Sequence, residues 1–173
     1  MLYEKFIRLV EDHAEILTRN WIHEVTNNPA TPGYKLILRK VLEERAFDDY
    51  KRLGGILLKE DPSFKSSAEH YIKLGKARAK EGLKASEVVY ALILSRVVLW
   101  KFIINEGVIN STMDLHQALT FYQKVNNFYD KAAYFITVGY ENLNVDTDDI
   151  LKQGDFIEKA VSSVTKWFMR DVK

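Results

Sequence analysis

The stretch Gly82–Ile103, GLKASEVVYALILSRVVLWKFI, decides the fold because it is the most apolar part of the chain. Arg96 and Lys101 interrupt it, so no run reaches the ~20 uninterrupted apolar residues of a membrane-spanning helix. Apolar residues around nearly the whole circumference are typical of a helix that others surround. We therefore predict a central core helix over Ala85–Asn105 that does not span a membrane.

The composition excludes several classes of function. The 173 residues suggest one domain, and the formal charge of +1 favours neither nucleic acid nor an anionic membrane as a partner. The absence of cysteine rules out disulfides, thiolate catalysis and thiolate metal sites, and it fits a reducing compartment. Charges interrupt the N-terminal segment too often for a signal peptide. We expect a cytoplasmic protein that binds neither nucleic acid nor membranes.

Apolar residues recur at three- and four-residue steps along most of the chain, and this predicts an all-α fold. A stripe from Tyr3 to Val25 predicts one long first helix, which Pro29 ends. A second helix is expected over residues 38–59. The pattern over residues 34–38 fits either a helix or a strand.

Glycines and caps mark the helix ends that follow. Gly75 falls on the apolar face of a third helix and indicates a close helix crossing, since a missing side chain lets two backbones approach. Gly82 fits the position just past the end of that helix, where left-handed φ is favoured. Ser111 and Asp114 predict the capped start of a fifth helix.

The fifth helix, expected from Thr112 to about Leu143, carries two adjacent apolar stripes. The first is rich in phenylalanine and has no polar member, so it is assigned to the core. The second is rich in tyrosine, which suits surfaces that are wet on one side, and contains Asn126, which can fix the register of a helical pair. It predicts a homodimer face, with one wide intramolecular core as the alternative. The predicted interface residues are Leu119, Tyr122, Asn126, Tyr129, Ala133, Ile136 and Tyr140.

Residues 146–173 are expected to follow a domain of residues 1–145 as a linker and a C-terminal signalling or dimerisation helix. The apolar stripe of this helix is Ile157, Val161, Val164 and Phe168. It can pack back on the domain, pair with a second chain or lie on a membrane. Balanced charge makes the membrane placement weak.

The sequence carries no motif for catalysis, and we predict that the protein is not an enzyme. None of the four histidines, His13, His23, His70 and His116, has the glutamate three residues earlier that a di-iron site needs. Nothing beside them resembles a second ligand, so neither a metal ion nor haem is expected. Phosphate-binding loops and nucleophile elbows are absent as well.

Arg96 is the chemically unusual residue because its neighbours one helical turn away are apolar. A guanidinium in that setting must pair with a distant carboxylate, extend to water or line a pocket. In a pocket, Arg96 could hold an acidic head group while aromatic side chains supply the walls. The predicted ligand site then comprises Tyr71, Arg78, Tyr90, Arg96 and Trp100.

Three segments, RAKEG at 78–82, EVVYAL at 87–92 and SRVVLW at 95–100, resemble the N-terminal sensor domain of RsbR-type stressosome proteins. They are also similar to input domains of bacterial sensor histidine kinases, and Trp21 and Tyr140 fit the same pattern. The resemblance covers roughly residues 3–143. It implies a globin-like domain of about five to six helices, usually without haem, that dimerises and signals to an output domain.

The chain departs from that family because only a linker and one helix follow Leu143. It is expected to be a sensor domain cut from a longer protein or a module that acts alone. The favoured function is a non-enzymatic sensory or regulatory domain that binds a small apolar or acidic ligand or a protein partner. The alternatives are a haem-binding gas sensor and a ligand-free helical interaction adaptor.

Overall fold

A computed structural model describes residues 2–58, 65–107 and 109–152, and these ranges contain helices and no strand. The α-helices are α1 (Leu2–Asp12), α2 (Ala14–Asn27), α3 (Arg39–Leu58), α4 (Lys65–Lys80), α5 (Ala85–Asn105), α6 (Thr112–Glu141) and α7 (Thr147–Lys152). A 3-10 helix, Pro32–Leu36, precedes α3. The predicted all-α class is confirmed, and the arrangement is consistent with a globin-like domain. Among the described helices, none combines the length and the apolar character that crossing a membrane requires.

The first predicted helix is wrong in one respect, because it is divided into α1 and α2 at His13. The His13 Nδ1 donates a hydrogen bond to the Leu9 carbonyl at 2.9 Å, and the backbone at His13 leaves helical geometry, with φ −111° and ψ 21°. The ring also packs against Phe102 of α5, with the centroids 5.2 Å apart. The apolar stripe still predicts the buried face, since Val10 and Leu17 on either side of the break are both buried.

The ambiguous segment before α3 is held in place by a carboxylate of α5. Glu87 is buried, and its Oε1 accepts a hydrogen bond from the Gly33 backbone N at 2.7 Å. Its Oε2 accepts one from the Lys84 backbone N at 3.0 Å. One side chain therefore satisfies an amide at the start of α5 and fixes the 3-10 helix against that helix.

The predicted close crossing at Gly75 is confirmed, and Gly139 of α6 is its counterpart. A Cβ added to Gly75 would lie 2.2 Å from the Ile136 carbonyl oxygen. A Cβ added to Gly139 would lie 2.3 Å from the Ile72 carbonyl oxygen. Each glycine thus meets the backbone of the other helix, and α4 and α6 can approach only because both side chains are missing.

Two predicted helix ends are confirmed as well. Gly82 has φ +84°, and the backbone N–H groups of Gly82 and Leu83 donate to the carbonyls of Ala79 and Arg78, which closes α4 in a Schellman motif. The Ser111 hydroxyl accepts a hydrogen bond from the Asp114 backbone N at 3.0 Å, which caps α6.

The prediction that other helices surround α5 is wrong for one of its sides. The opposite side packs in the core through Val88, Leu99 and Ile103. No described helix covers the remaining side, nor the first half of α6 beside it. The exposed apolar residues there are Tyr90, Ile93, Val97, Ile104, Leu115, Leu119 and Tyr122.

The domain extends past the predicted boundary at residue 145. Thr147 and Ile150 of α7 are buried, and Lys76 of α4 donates hydrogen bonds to the Val145 carbonyl and the Thr147 hydroxyl. Residues 147–152 therefore pack on α4. The predicted apolar stripe of Ile157, Val161, Val164 and Phe168 lies outside the described residues, as does the predicted second-helix end at Lys59.

Candidate functional site

A cavity lies inside the domain, and residues of α2 to α6 and of the 3-10 helix line it. The cavity has a volume of about 80 Å³. A volume of this size has room for roughly five to eight water-sized positions. Aromatic and aliphatic side chains form most of the wall, with few polar groups among them, which is typical of a small-molecule site.

Three hydroxyl groups form a chain of hydrogen bonds in the cavity wall. The Tyr129 hydroxyl lies 3.0 Å from Ser95 Oγ, which in turn donates to the Tyr50 hydroxyl at 3.1 Å. The Tyr50 hydroxyl donates its own proton to the Ser95 carbonyl at 3.3 Å. Because Ser95 Oγ already donates its proton to Tyr50, Tyr129 must be the donor in its bond to Ser95 Oγ. Burial raises the pKa of both tyrosines, which stay protonated. The chain links α3, α5 and α6.

A cationic group forms another part of the wall. Arg45 of α3 donates two hydrogen bonds to the Glu81 carboxylate, at 2.8 and 3.0 Å. Arg78 of α4 donates to the same carboxylate at 3.0 Å. Both arginines line the cavity, whereas Glu81 does not. Two guanidinium groups therefore share one carboxylate behind them, and this ionic bridge ties α3 to the end of α4.

Asp49 is the acidic residue of the lining. Its side chain is accessible to solvent, but the walls of the concavity surround it. This desolvation raises the pKa of Asp49 to about 6, although Arg78 and Arg52 oppose the shift. The charge of the cavity therefore changes between weakly acidic and neutral pH.

The structure divides the predicted ligand site. Tyr71 and Arg78 line the cavity, whereas Arg96 and Trp100 line a separate groove between α5 and α6. Tyr90 is exposed and lines neither of them. The five residues share one stretch of sequence but not one site, because the two helices that carry them present different faces to the core.

Arg96 pairs with a distant carboxylate, which was one of its three predicted outcomes. Its Nη1 lies 3.0 Å from Asp130 Oδ1 of α6. The groove beside this ion pair is also lined by Val97, Trp100, Ile104, Tyr122 and Asn126. Trp100 Nε1 and Asn126 Oδ1 are buried, and neither has a hydrogen-bond partner in the described part of the chain. The groove therefore contains buried polar atoms whose hydrogen-bonding capacity the described residues do not satisfy.

The predicted dimer stripe on α6 is divided as well. Tyr129 and Ile136 are buried in the core of this domain, so their placement on a surface between chains was wrong. Ala133 is half-buried, and Tyr140 donates a hydrogen bond to the Leu83 carbonyl at 2.9 Å. Leu119 and Tyr122 are exposed, and Asn126 lines the groove. The second half of the stripe thus follows the single-core alternative, and the first half remains open as a surface.

The residues of the cavity do not fit haem. No histidine lines it, and His13 is engaged with Leu9 and Phe102. Tyrosine can ligate haem iron only as the phenolate, and burial raises the pKa of Tyr34, Tyr50, Tyr71 and Tyr129. Within residues 2–58, 65–107 and 109–152, no three potential metal-binding side chains form a cluster.

Sequence reasoning missed several cavity residues, namely Tyr34, Arg45, Asp49, Tyr50 and Ser95, and it missed Glu81, which pairs with the two arginines of the wall. Arg45 and Glu81 are 36 positions apart, and Tyr50 and Ser95 are 45 apart, so no local spacing joins them. The only local signal was the Arg78–Glu81 pair, which is three residues apart on one helix face.

No family model, curated protein or solved structure that was compared with this chain matches it. The resemblance to RsbR-type sensor domains therefore stays a prediction. The cavity and the α5–α6 surface supply the grounds for inferring a function.

Proposed function

We propose that this chain is a cytoplasmic, non-enzymatic sensory or regulatory domain of bacterial signal transduction that binds a small ligand in the cavity. The observation that carries the proposal is the position of the cavity. Five α-helices contribute to its wall, so a ligand there can contact several of these helices at once. A ligand that prefers one packing of these helices shifts the population toward it.

The polar groups in the cavity support binding more than catalysis. Ser95 is the hydroxyl best placed to act as a nucleophile, but its neighbours are two tyrosine hydroxyls. Activation of a serine requires an adjacent base, and tyrosines with raised pKa values are poor bases at neutral pH. The hydroxyl chain instead offers fixed hydrogen-bonding groups beside apolar walls.

Filling the cavity is expected to abolish binding. Ala91 lines it and is almost fully buried, so Ala91→Leu places three further carbon atoms inside. In a thermal-shift screen of small metabolites, we expect some compounds to stabilise the wild type. At about a hundred times the dissociation constant the gain is ~2.7 kcal/mol. The same compounds should leave Ala91→Leu unchanged.

The matched control is Ala77→Leu, which adds the same atoms to an exposed position of α4 outside the cavity. It should retain the wild-type response. A screen in which no compound stabilises the wild type, or in which Ala91→Leu responds equally, would contradict ligand sensing. The ligand-free adaptor would then be the better description.

We further propose that the chain forms a homodimer through the α5–α6 face, defined as Ile93, Val97, Ile104, Leu119 and Tyr122. All five side chains are exposed, and three of them line the groove. The groove also carries cations, Arg96 and Lys101, on α5 and the carboxylate of Asp130 on α6. In a two-fold interface every contact is made twice, so if α5 of one copy meets α6 of the other, the cations of α5 pair with Asp130 of the opposite copy in both directions.

Two acidic substitutions on this face are expected to prevent dimerisation. Leu119→Glu with Tyr122→Glu brings four negative charges together in the two-fold interface and removes apolar contacts. We expect the dimer to weaken by a factor of about 100 or more in sedimentation equilibrium. The control is Leu36→Glu, at an exposed leucine of the 3-10 helix. A wild-type monomer at micromolar concentration, or an equal effect of Leu36→Glu, would sink this proposal.

A further inference from the structure

We infer that the cavity binds the amide group of a small neutral molecule, with the amide oxygen toward the Arg78 guanidinium and the amide N–H toward the Asp49 carboxylate. This inference rests on the proposed function, because it names the ligand class of the same site. It depends on three features of the lining: the balance of its charges, the hydrogen-bonding groups that the described residues leave unused, and the volume of the cavity.

Arg78 and Asp49 face the same cavity from two helices. Arg78 of α4 and Arg45 of α3 both donate to the Glu81 carboxylate at 3.0 Å or less, so their guanidinium groups lie close together. Asp49 follows Arg45 by one turn of α3, which places their Cβ atoms about 5 to 6 Å apart, and both residues line the cavity. Burial raises the pKa of Asp49, and among the neighbouring charges Arg78 opposes this rise most strongly, in agreement with that placement.

The charges in this part of the cavity cancel. Among the described residues, the groups that bind Glu81 or act on Asp49 comprise as many cations as anions, namely Arg45, Arg52, Arg78, Asp48, Asp49 and Glu81. A ligand with a net charge would be attracted by one of the two facing groups, Arg78 and Asp49, and repelled by the other. A neutral group whose dipole points from one to the other is stabilised by both. The charge pattern therefore favours a neutral, dipolar ligand.

Arg78 and Asp49 also have hydrogen-bonding capacity that the described residues do not use. A guanidinium has five N–H donors, and a carboxylate can only accept. Nη1 of Arg78 donates to Glu81, whereas no hydrogen bond from its Nε or Nη2 reaches a described residue. No hydrogen bond or ion pair joins the Asp49 carboxylate to a described residue. Donors thus face the cavity from α4 and acceptors from α3. An amide group satisfies both, because its oxygen accepts and its nitrogen donates.

The hydroxyl groups of the wall add to the same pattern. Tyr34 is only 5% exposed and lines the cavity, and its hydroxyl bonds to no described residue. A buried hydroxyl without a partner is unfavourable, so this group also favours a polar ligand. The chain of Tyr129, Ser95 and Tyr50 uses its protons internally and on the Ser95 carbonyl, so it offers further ligands only acceptors. A ligand that both donates and accepts therefore suits this lining.

The volume of the cavity limits the size of the bound group. It measures about 80 Å³, and a cavity of about 150 Å³ holds benzene, with six carbon atoms. By proportion, the cavity suits about three to four non-hydrogen atoms. Acetamide is therefore a suitable probe. Acetate and acetamidinium have the same planar shape, but acetate is an anion that only accepts and acetamidinium is a cation that only donates.

An amide bound in this way would join α3 to α4. Apart from the Glu81 bridge, Asp49 and Arg78 have no described contact that links them across the cavity. A ligand between them favours the packing in which these two side chains are one amide group apart. It thereby acquires the different affinity for two packings that a sensory domain requires.

The test is a titration of the full chain with acetamide, acetate and acetamidinium at neutral pH, followed by heteronuclear NMR. We expect acetamide to bind in the millimolar range, with shifts at the amides that surround the cavity, and each charged probe to bind about tenfold more weakly or worse. Asp49→Asn removes the charge that repels acetate and keeps an acceptor oxygen. It should strengthen acetate binding about tenfold and change acetamide binding less than about threefold.

The matched control is Asp48→Asn, because Asp48 is the neighbouring aspartate, is exposed on α3 and lies outside the cavity. It should keep the wild-type order of the three probes. Equal responses of Asp48→Asn and Asp49→Asn to acetate would overturn the inference. If Asp49→Asn does not fold, Ala91→Leu provides the second variant, and unchanged acetamide binding by Ala91→Leu would contradict the cavity as the site.

The amide class and the proposed function fail in different ways. Absence of acetamide binding in the millimolar range overturns the amide class, as does binding of acetate or acetamidinium as tight as that of acetamide. Glycine carries both charges, and tighter binding of glycine than of acetamide would replace the amide with a zwitterion. In each of these cases the screen of metabolites against the wild type and Ala91→Leu still decides whether the cavity binds another ligand.

Discussion

Replacing Gly75 with valine is expected to destabilise the domain by about 3 kcal/mol or more. The new Cβ would lie 2.2 Å from the Ile136 carbonyl oxygen, far inside van der Waals contact. The obstructing atom belongs to the backbone of α6, so no side-chain rotation can relieve the overlap. α4 and α6 would have to separate, and this would also disturb the counterpart contact at Gly139. In a chain of this length, we expect the melting temperature to fall by about 6 to 12 °C.

Gly55→Val is the matched control for this prediction. Gly55 is exposed inside α3, and a Cβ there has no atom within 4 Å. Its stability should stay within about 0.5 kcal/mol of the wild type, because valine and glycine have similarly weak helix propensities. Thermal and urea denaturation of both variants measure the difference. Equal melting temperatures for the two variants would show that the crossing is not close-packed at Gly75.

The sequence predicted the helices well because their signals are local. α5 has the predicted bounds of Ala85–Asn105, and the buried stripe of α1 and α2 follows the three- and four-residue period. The break at His13 was missed; in the structure the His13 ring contacts Phe102, which is distant in sequence, and bonds to the Leu9 carbonyl. The periodicity of apolar residues indicates which face of a helix is buried, but it does not indicate where the backbone of that helix is interrupted.

Hydrophobicity alone also misjudged the surroundings of α5. An all-round apolar helix is compatible with burial among neighbours and with exposure on a protein-binding face. Within the described residues, the exposed Ile93 and Val97 show that one side of α5 is not buried among neighbouring helices. Tyr129 shows the reverse error on α6, because a tyrosine assigned to an interface is buried and hydrogen-bonded to Ser95.

The site was predictable only in part. Tyr71 and Arg78 were named and do line the cavity, since their spacing of seven residues places both on one face of α4. Their partners come from α3 and the 3-10 helix, whose approach depends on tertiary packing. The Arg45–Glu81–Arg78 bridge shows the difficulty. Arg78 and Glu81 are three positions apart on one helix, so a helical spacing reveals that pair, whereas Arg45 and Glu81 are 36 positions apart and no spacing reveals theirs.

Replacing Glu87 with alanine is expected to cost about 3 kcal/mol of folding free energy. The carboxylate is buried and accepts hydrogen bonds from the backbone N–H groups of Gly33 and Lys84, at 2.7 and 3.0 Å. Its removal leaves both amides without that acceptor and removes a negative charge from the positive end of α5. The 3-10 helix would also lose its attachment to α5. Tyr34 would then be held less firmly against the cavity.

Glu43→Ala is the matched control, because Glu43 is an exposed carboxylate on α3 whose ion pair with Arg39 is worth at most about 1 kcal/mol. Urea denaturation should separate the two variants by about 2 kcal/mol or more. Hydrogen exchange provides the specific measurement, since the Gly33 and Lys84 amides should exchange faster in Glu87→Ala and not in Glu43→Ala. Protection of both amides in Glu87→Ala would mean that another acceptor holds them. The attachment of the 3-10 helix would then have to come from the packing of Tyr34 against Trp21, whose rings meet edge to face at 5.9 Å.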